Sequence, residues 1–316
     1  MKLQILIPQY KETDDVIKGM LDSIQIQQNI DFKDIGVIIV NDGSDVYLSE
    51  ELLNSYTFKI EYYKDEHRGV SGTRNACLDR ATAEYIMFCD ADDMFYNNIA
   101  LWIILSKINK NFDVMDSVFI EETKAGGRPV YIRKDCNPVF VHGKVYRRQY
   151  LIDNNITWNP ELTVHEDSYF NMLALKLTDK IEQCPTPYYI WRWRDESVCR
   201  SDEKYILKTY PLLIKSSEAC INEFIKRGRT SAATDLCTAL LINTYFTLQD
   251  EKWTKEENKN YRENVISRLE EYFNKFREYY ENNKEEKVKI VFSTIAKKRK
   301  MEGDYSIFKN WLQKMK

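Results

Sequence analysis

The stretch Glu84-Tyr85-Ile86-Met87-Phe88-Cys89-Asp90-Ala91-Asp92-Asp93 decides the fold. Its first half is a short apolar run without alternation, the pattern of a strand buried on both faces. Such strands belong to parallel sheets covered by helices. Its second half is an abrupt cluster of carboxylates. In an open parallel sheet, ligands bind beyond the carboxyl ends of the strands, and this cluster falls there. The same arrangement recurs upstream. Val37-Ile38-Ile39-Val40 reads as another buried strand, and it ends at the turn-forming Asn41-Asp42-Gly43-Ser44.

Working outward, Leu3 to Pro8 reads as the first strand. Thr13-Asp14-Asp15 offers a helix N-cap, followed by Val16, Met20, Leu21 and Ile24 at helical spacing. Phe58 to Tyr63 alternates like a strand, Ser71 to Ala81 reads as a helix, and a further helix follows Asn98. Strands separated by helices imply crossover connections and an α/β class with a mainly parallel sheet. Between 113 and 200 the pattern is mixed. Val114 to Ile120 and Pro129 to Arg133 read as strands around a Gly126-Gly127 hairpin. Glu166 to Leu177 reads as a helix with Phe170, Leu173 and Leu177 on one face. Tyr188 to Trp193 reads as a strand, putting Trp191 and Trp193 on one face and Arg192 and Arg194 on the other. From 201 the composition shifts to long amphipathic helices. These are Tyr205 to Lys226, whose start Pro211 delays or kinks, Ser231 to Leu248, and a charge-rich third over Lys252 to Glu286. A net basic tail runs from Val288 to Lys316. Two domains are expected, 1–200 and a helical 201–316.

The 316 residues are 43% hydrophobic and 30% charged, which excludes wholesale disorder and an integral membrane protein. Lys and Arg number 46 against 49 Asp and Glu, so the surplus of a nucleic-acid binder is absent. Seven cysteines, an odd number without C-x-x-C spacing, read as reduced thiols of a cytoplasmic protein. The N-terminal apolar run is too short for a signal peptide, and no stretch reaches the roughly 18 apolar residues of a membrane span. The run Lys297-Lys298-Arg299-Lys300 reads either as a solvated face or as a peripheral contact with anionic lipid at the inner membrane face. The helical end reads as part of an acceptor site or as a homodimer interface.

Four clusters carry chemistry. Asp90 and Asp92 offer hard oxygens suited to Mg2+ or Mn2+, and the D-x-D spacing lets one carboxylate reach a ribose and the other a metal. Asp42 can accept from a base N–H, with Gly43 allowing close approach. Gly69 to Asn75 opens a helix with small residues, where free N–H groups and Arg74 suit an anion. In His165-Glu166-Asp167, carboxylates begin a helix, favoured there by its dipole and available as a general base. Each has a plain structural alternative: an acidic turn, a turn signal, an N-cap with Arg74 on a solvated face, a first helical turn. The Trp191 and Trp193 face reads as core packing or a sugar platform. Arg192 and Arg194 suit a diphosphate. His67, His142 and His165 share no helical face, which argues against a tri-histidine metal site, and His67 is expected to be a simple surface residue.

In order, these pieces resemble the inverting family 2 glycosyltransferases with a GT-A fold. The matching residues are Ile7-Pro8-Gln9-Tyr10 with Glu12, Val40 to Asp45, Gly69 to Asn75, Asp90 to Asp93, and Gly143-Lys144-Val145-Tyr146-Arg147-Arg148. Glu166-Asp167 with Tyr169-Phe170-Asn171, and Tyr189 to Ser197, complete the set. The resemblance covers residues 1 to about 200. It implies a nucleotide-sugar donor, most often a UDP-sugar, with Mn2+ or Mg2+. It further implies donor contacts from Pro8, Tyr10, Glu12, Asp42, Arg74, Asp90, Arg192 and Arg194. Asp92 would hold the metal and Asp167 would be the base, with Lys144, Glu166, Trp191 and Trp193 on the acceptor side or in support. Arg194 stands where many members carry a histidine, and a guanidinium cannot ligate a metal. The Q-x-x-R-W sequence of processive synthases is absent, so single addition is expected. The acceptor is a glycan, a lipid-linked intermediate or another hydroxyl, and surface-polysaccharide assembly is the expected setting. The rival readings are a catalytically inactive relative that binds a glycan or partner, and a sugar nucleotidyltransferase.

Overall fold

The computed structural model describes residues 1–195 and 202–315. Glu196, Ser197 and Cys199 of the sequence reading, and the terminal Lys316, lie outside the described residues. The chain divides into two compact units, Met1–Asp195 and Glu196–Lys316.

The first unit runs β1 (Leu3–Gln9), α1 (Asp14–Gln25), β2 (Ile35–Asp42), α2 (Glu50–Leu53), β3 (Lys59–Asp65), α3 (Gly69–Arg80), β4 (Tyr85–Phe88) and β5 (Met94–Phe95). It continues with α4 (Ala100–Ile108), β6 (Val114–Ser117), β7 (Phe119–Ala125), β8 (Arg128–Lys134), β9 (Lys144–Arg147), α5 (Arg148–Asp153), α6 (Glu166–Lys176), β10 (Ile181–Cys184) and β11 (Tyr189–Trp191). The main sheet has the order β10-β6-β9-β4-β1-β2-β3. Neighbours are parallel except that β9 runs antiparallel between β4 and β6. Leu6 lies opposite both Ile38 and Phe88, so the residues after these strands emerge at one end of the sheet. That register brings Gln9, Asp42 and Asp90 to a common edge. Pro8 is tolerated in this central strand because pairing with β4 ends at Leu6 and Phe88, before a proline N–H would be missed. Ile5, Ile7, Met20, Ile39 and Met87 are fully buried between the sheet and its helices. A second sheet, β5-β11-β7-β8, stands beside the first.

Three expectations change. Val114 to Ile120 is two strands in two sheets: the Ser117 N–H donates to Gly143 O and the Val118 N–H to Cys184 O, so the chain changes partners there. The strand over Tyr188 to Trp193 shortens to β11, because the Arg192 N–H leaves the ladder for the Asp93 carboxylate. The Trp and Arg alternation therefore does not continue to residues 193 and 194.

The third change lies in the second unit. It comprises α7 (Tyr205–Lys226), α8 (Thr230–Thr247), α9 (Glu251–Thr254), α10 (Lys259–Glu281), α11 (Glu285–Arg299) and α12 (Tyr305–Gln313). Lys252 to Glu286 is not one helix. Lys255 is extended at φ −60° and ψ 135°, and the buried Asn258 amide donates to Lys252 O, which ends α9. No glycine or proline announces that break. Pro211 sits inside α7, which nonetheless begins at Tyr205. Tyr245, Phe246, Phe292 and Phe308 form an aromatic cluster between α8, α11 and α12. Among the described residues the cysteines are free thiols, and no helix is long and apolar enough to cross a membrane.

Candidate active site

Arg74 is the centre of the site. It projects from the buried face of α3, only 4% exposed, and is not on a solvated face. Its Nη1 donates to Glu166 Oε1 at 3.0 Å and to Asp167 Oδ1 at 2.7 Å, while Nη2 donates to Asp90 Oδ1 at 3.0 Å. The guanidinium also lies over the Trp158 ring, 4.5 Å from its centroid. Burial opposes its charge, but the three carboxylates outweigh that and raise its proton affinity.

Glu166 and Asp167 occupy the first turn of α6, behind His165 in the left-handed region at φ 63°. Asp167 Oδ2 accepts from the Val141 N–H at 3.2 Å. Burial pushes the Asp167 carboxyl up to about 6, with Glu166 and Asp90 pushing the same way and Arg74 and His142 pulling down. A carboxyl titrating there is ionised near neutrality and still basic enough to take a proton.

The acidic turn after β4 divides its labour. Asp93 is structural: Tyr189 OH donates to Oδ2 at 2.6 Å and the Arg192 N–H to Oδ1 at 2.8 Å. Burial, then Asp90 and Asp92, hold it well above the usual carboxylate range. Asp90 is half-buried, its side chain 32% exposed, and Arg74 and His142 outweigh the desolvation and hold it below its ordinary value. Asp92 is exposed to a similar degree, its side chain at 35%, and pairs with Arg194 Nη1 at 3.2 Å. Burial and the Asp90 charge push Asp92 up. Asp90, Asp93 and His142 bring one possible ligand atom each within 4.8 Å of one another. Both Asp93 oxygens already accept hydrogen bonds, so within the turn the partly exposed carboxylates of Asp90 and Asp92 are the ones placed to meet a hard cation.

At the other end, Asp42 Oδ1 accepts from the Arg68 N–H at 2.7 Å, and Oδ2 lies 3.0 Å from His67 Nδ1. Gly43, at φ 70°, is required there: a Cβ would stand 2.4 Å from the His67 nitrogen. The Tyr10 ring, 44% exposed, packs 5.1 Å from the His67 ring. His67 is a surface residue, as expected, its side chain 60% exposed, and it is paired there with Asp42. Glu12 accepts from the Tyr10 N–H at 2.5 Å and lies in the field of Asp92 and Arg194.

The remaining sites are dispersed. Arg192 turns its guanidinium towards Glu122, 3.8 Å away. Trp191 packs on His142 and Phe140, whereas Trp193 donates to Asp195 under Lys124. Lys144 is 1% exposed and paired with Asp116. The sequence reading named His142, Asp93 and Tyr189 but gave none of them an individual role in the site. Tyr189 and Asp93 are 96 positions apart, and no local pattern joins them.

A family model described as "Glycosyl transferase family 2" matches residues 4–170. The poly(ribitol-phosphate) beta-glucosyltransferase of Bacillus spizizenii is 30% identical over 198 residues, covering 57% of this chain and 30% of that protein. The poly(ribitol-phosphate) beta-N-acetylglucosaminyltransferase TarS of Staphylococcus aureus is 23% identical over 210 residues, covering 62% of this chain and 36% of that protein. The matches thus span about a third of those relatives' length. The crystal structure of S. aureus TarS 1-349 superposes with a TM-score of 0.63 at 18% identity, covering 86% of this chain and 81% of the other. Its complex with UDP-GlcNAc gives 0.61 at 19% identity, over the same shares. At these identities the likeness bears on fold, and the fold is the expected GT-A type with an α-helical C-terminal region.

Proposed function

This chain belongs to glycosyl transferase family 2, and from that membership we propose that it moves one sugar from a UDP-sugar to a hydroxyl of a surface polymer, with inversion at the anomeric carbon. The observation that carries the reading is the junction of Asp167 and Asp90 through Arg74. It sets a buried carboxylate of raised proton affinity, at a helix N-terminus, beside the acidic turn assigned to the donor.

In this reading Asp167 accepts the proton of the acceptor hydroxyl. That oxygen then bonds to the anomeric carbon as the bond to the diphosphate oxygen breaks, its electron pair leaving with UDP. Attack opposite the leaving group inverts the centre. Asp42 and the exposed Tyr10 ring serve the base, and Asp90 serves the ribose. Arg192 and Arg194 offer charge to the diphosphate, with Pro8 and Glu12 lining the donor side. Arg74 holds Asp90 and Asp167 in register, since both its terminal nitrogens already donate to carboxylates. Trp191, Trp193 and Glu166 stand on the acceptor side.

Asp92 is the residue we assign to Mn2+ or Mg2+, which when bound neutralises charge on the leaving diphosphate. The donor set fits: Asp92 and Asp90 repel each other, and a hard cation relieves that repulsion. The names of the two relatives suggest the acceptor, a polyol-phosphate polymer such as poly(ribitol phosphate).

A thermal-shift panel of nucleotide sugars, each with Mn2+, Mg2+ or EDTA, tests the donor side. A ligand that binds only the folded state raises the midpoint by mass action. A metal-dependent rise with a UDP-sugar, followed by UDP release on adding poly(ribitol phosphate), is expected. No rise with any nucleotide would overturn the reading in favour of an inactive glycan-binding relative.

A further inference from the structure

The segment Val139 to Gly143 is a strap joined to Asp167 by a backbone hydrogen bond, and both backbone groups of Val139, Phe140 and Val141 are held. Val139 O accepts from the Asn171 amide at 3.4 Å, and Asn171 is in turn fixed by Tyr146 OH at 2.6 Å. Val141 O accepts from the Lys144 N–H at 3.3 Å. Gly143 O accepts from Ser117 Oγ and from Tyr188 OH, each at 2.8 Å. Gly143 itself, at φ 67°, has no room for a side chain, because a Cβ would meet Ser117 Oγ at 2.6 Å.

One peptide unit in the strap is gripped from both ends. Lys144 Nζ donates to Phe140 O at 2.8 Å, and the N–H of the same peptide unit, that of Val141, donates to Asp167 Oδ2 at 3.2 Å. Lys144 is a buried lysine on β9, paired with the Asp116 carboxylate at 3.0 Å. A cation on the carbonyl oxygen polarises the amide and strengthens the hydrogen bond that its N–H makes to a carboxylate.

We propose that Lys144 is a positioning residue for the base. It acts through the Phe140–Val141 peptide, orienting the Asp167 carboxylate and favouring its ionised form. The inference rests on Asp167 being the base. The groups that face Asp167 are Arg74 from α3, Asp90 after β4, Glu166 on its own helix, His142 in the strap, and Lys144 and Tyr146 on β9. Lys144 reaches Asp167 through the backbone, whereas Arg74 touches it directly. Loss of Lys144 therefore loosens one carboxylate oxygen and leaves the other held.

The test uses Lys144→Met combined with Asp116→Asn, so that no lone charge stays buried. UDP release is followed from pH 5 to 9 with the full chain, alongside UDP binding by calorimetry and an Asp167→Asn control. A misaligned reacting group typically costs about 10- to 100-fold in rate, and that fall in kcat is expected here with UDP affinity unchanged. The acidic limb of the rate profile should also move up by about half a pH unit or more, as the carboxylate loses a favourable partner. Wild-type kcat with an unmoved limb overturns the proposal. So does lost UDP binding with an unmoved limb, which would make Lys144 a support for the fold alone. Normal turnover by Asp167→Asn would instead remove the base assignment itself, a result separate from either. Hydrogen exchange on the wild-type chain needs no variant to fold: corrected for intrinsic rates, the Val141 amide should lose protection as pH falls through the Asp167 titration. An amide indifferent to that titration also overturns the proposal.

Discussion

Arg74 Nη1 meets the Asp167 carboxylate at 2.7 Å across 93 positions of sequence, and through its other terminal nitrogen the same guanidinium reaches Asp90. A cation on α3 thereby ties the start of α6 to the acidic turn after β4. The buried guanidinium favours the charged forms of two partly buried carboxylates, against the desolvation and the mutual repulsion that disfavour them.

Replacing Asp167 separates binding from chemistry. Asp167→Asn keeps the size and loses the proton acceptor, so UDP-sugar binding should survive. General base catalysis contributes about 100- to 10,000-fold, and kcat should fall by that order. Single-turnover UDP release with calorimetry on the same preparation checks the split. Equal loss of binding and rate would remove the base role.

The pH profile follows from the direction of the Asp167 shift. Its carboxyl is pushed up to about 6, and only the ionised form accepts a proton, so kcat should fall as pH drops through that value. Glu166 is among the charges pushing Asp167 up, so Glu166→Gln should move the limb to lower pH. A limb that moves upward in that variant would contradict the electrostatics described here.

Asp92→Ala should abolish metal dependence. The wild-type chain is expected to bind UDP more tightly with Mn2+ than with EDTA, and the variant should bind equally in both. Because Asp92 is partly exposed and its ion pair with Arg194 at 3.2 Å is half-solvated, the variant should keep its thermal midpoint without ligand. An intact Mn2+ effect in the variant would move the ion to other ligands.

Arg74→Met tests the junction itself. Removing one member of a buried ion cluster costs about 3–5 kcal/mol, because the remaining charges lose their partner. Without the guanidinium, Asp90 would lose the charge that holds its carboxyl down and the Asp167 carboxyl would be pushed higher still. The penalty should therefore be largest above neutrality and shrink as pH falls and they protonate. Urea denaturation at pH 8 and pH 5.5 reads the difference, and a loss independent of pH would contradict the charge argument.

Much of the site was legible because its parts sit at strand ends and helix starts, which local patterns reveal. Buried runs before Asp42 and Asp90 announced that these carboxylates stand at strand ends, and the turn residues beside them announced where the strands stop. Other roles were hidden because their partners are remote. Asp93 looks like its neighbours in sequence, but Tyr189 and the Arg192 N–H make it structural. His67 is solvated as the sequence suggests, but its contacts with Asp42 and Tyr10 join three stretches that no local pattern links. The Arg192 and Trp193 alternation looked like a strand until one backbone hydrogen bond to Asp93 ended it.

The amino-acid sequence alone determined the α/β class, the order of the early strands and the identity of the carboxylates, because hydrophobic period and turn chemistry are local properties of the chain. Only the tertiary structure decided which partner each carboxylate has. Arg74 could have faced water or protein with the same helical spacing, and Lys144 could have been a surface charge. Their burial beside Asp90, Glu166, Asp167 and Asp116 depends on sheet register and on the antiparallel insertion of β9. Proton affinity follows from that burial and those partners, and so it is a property of the folded neighbourhood and not of the residue.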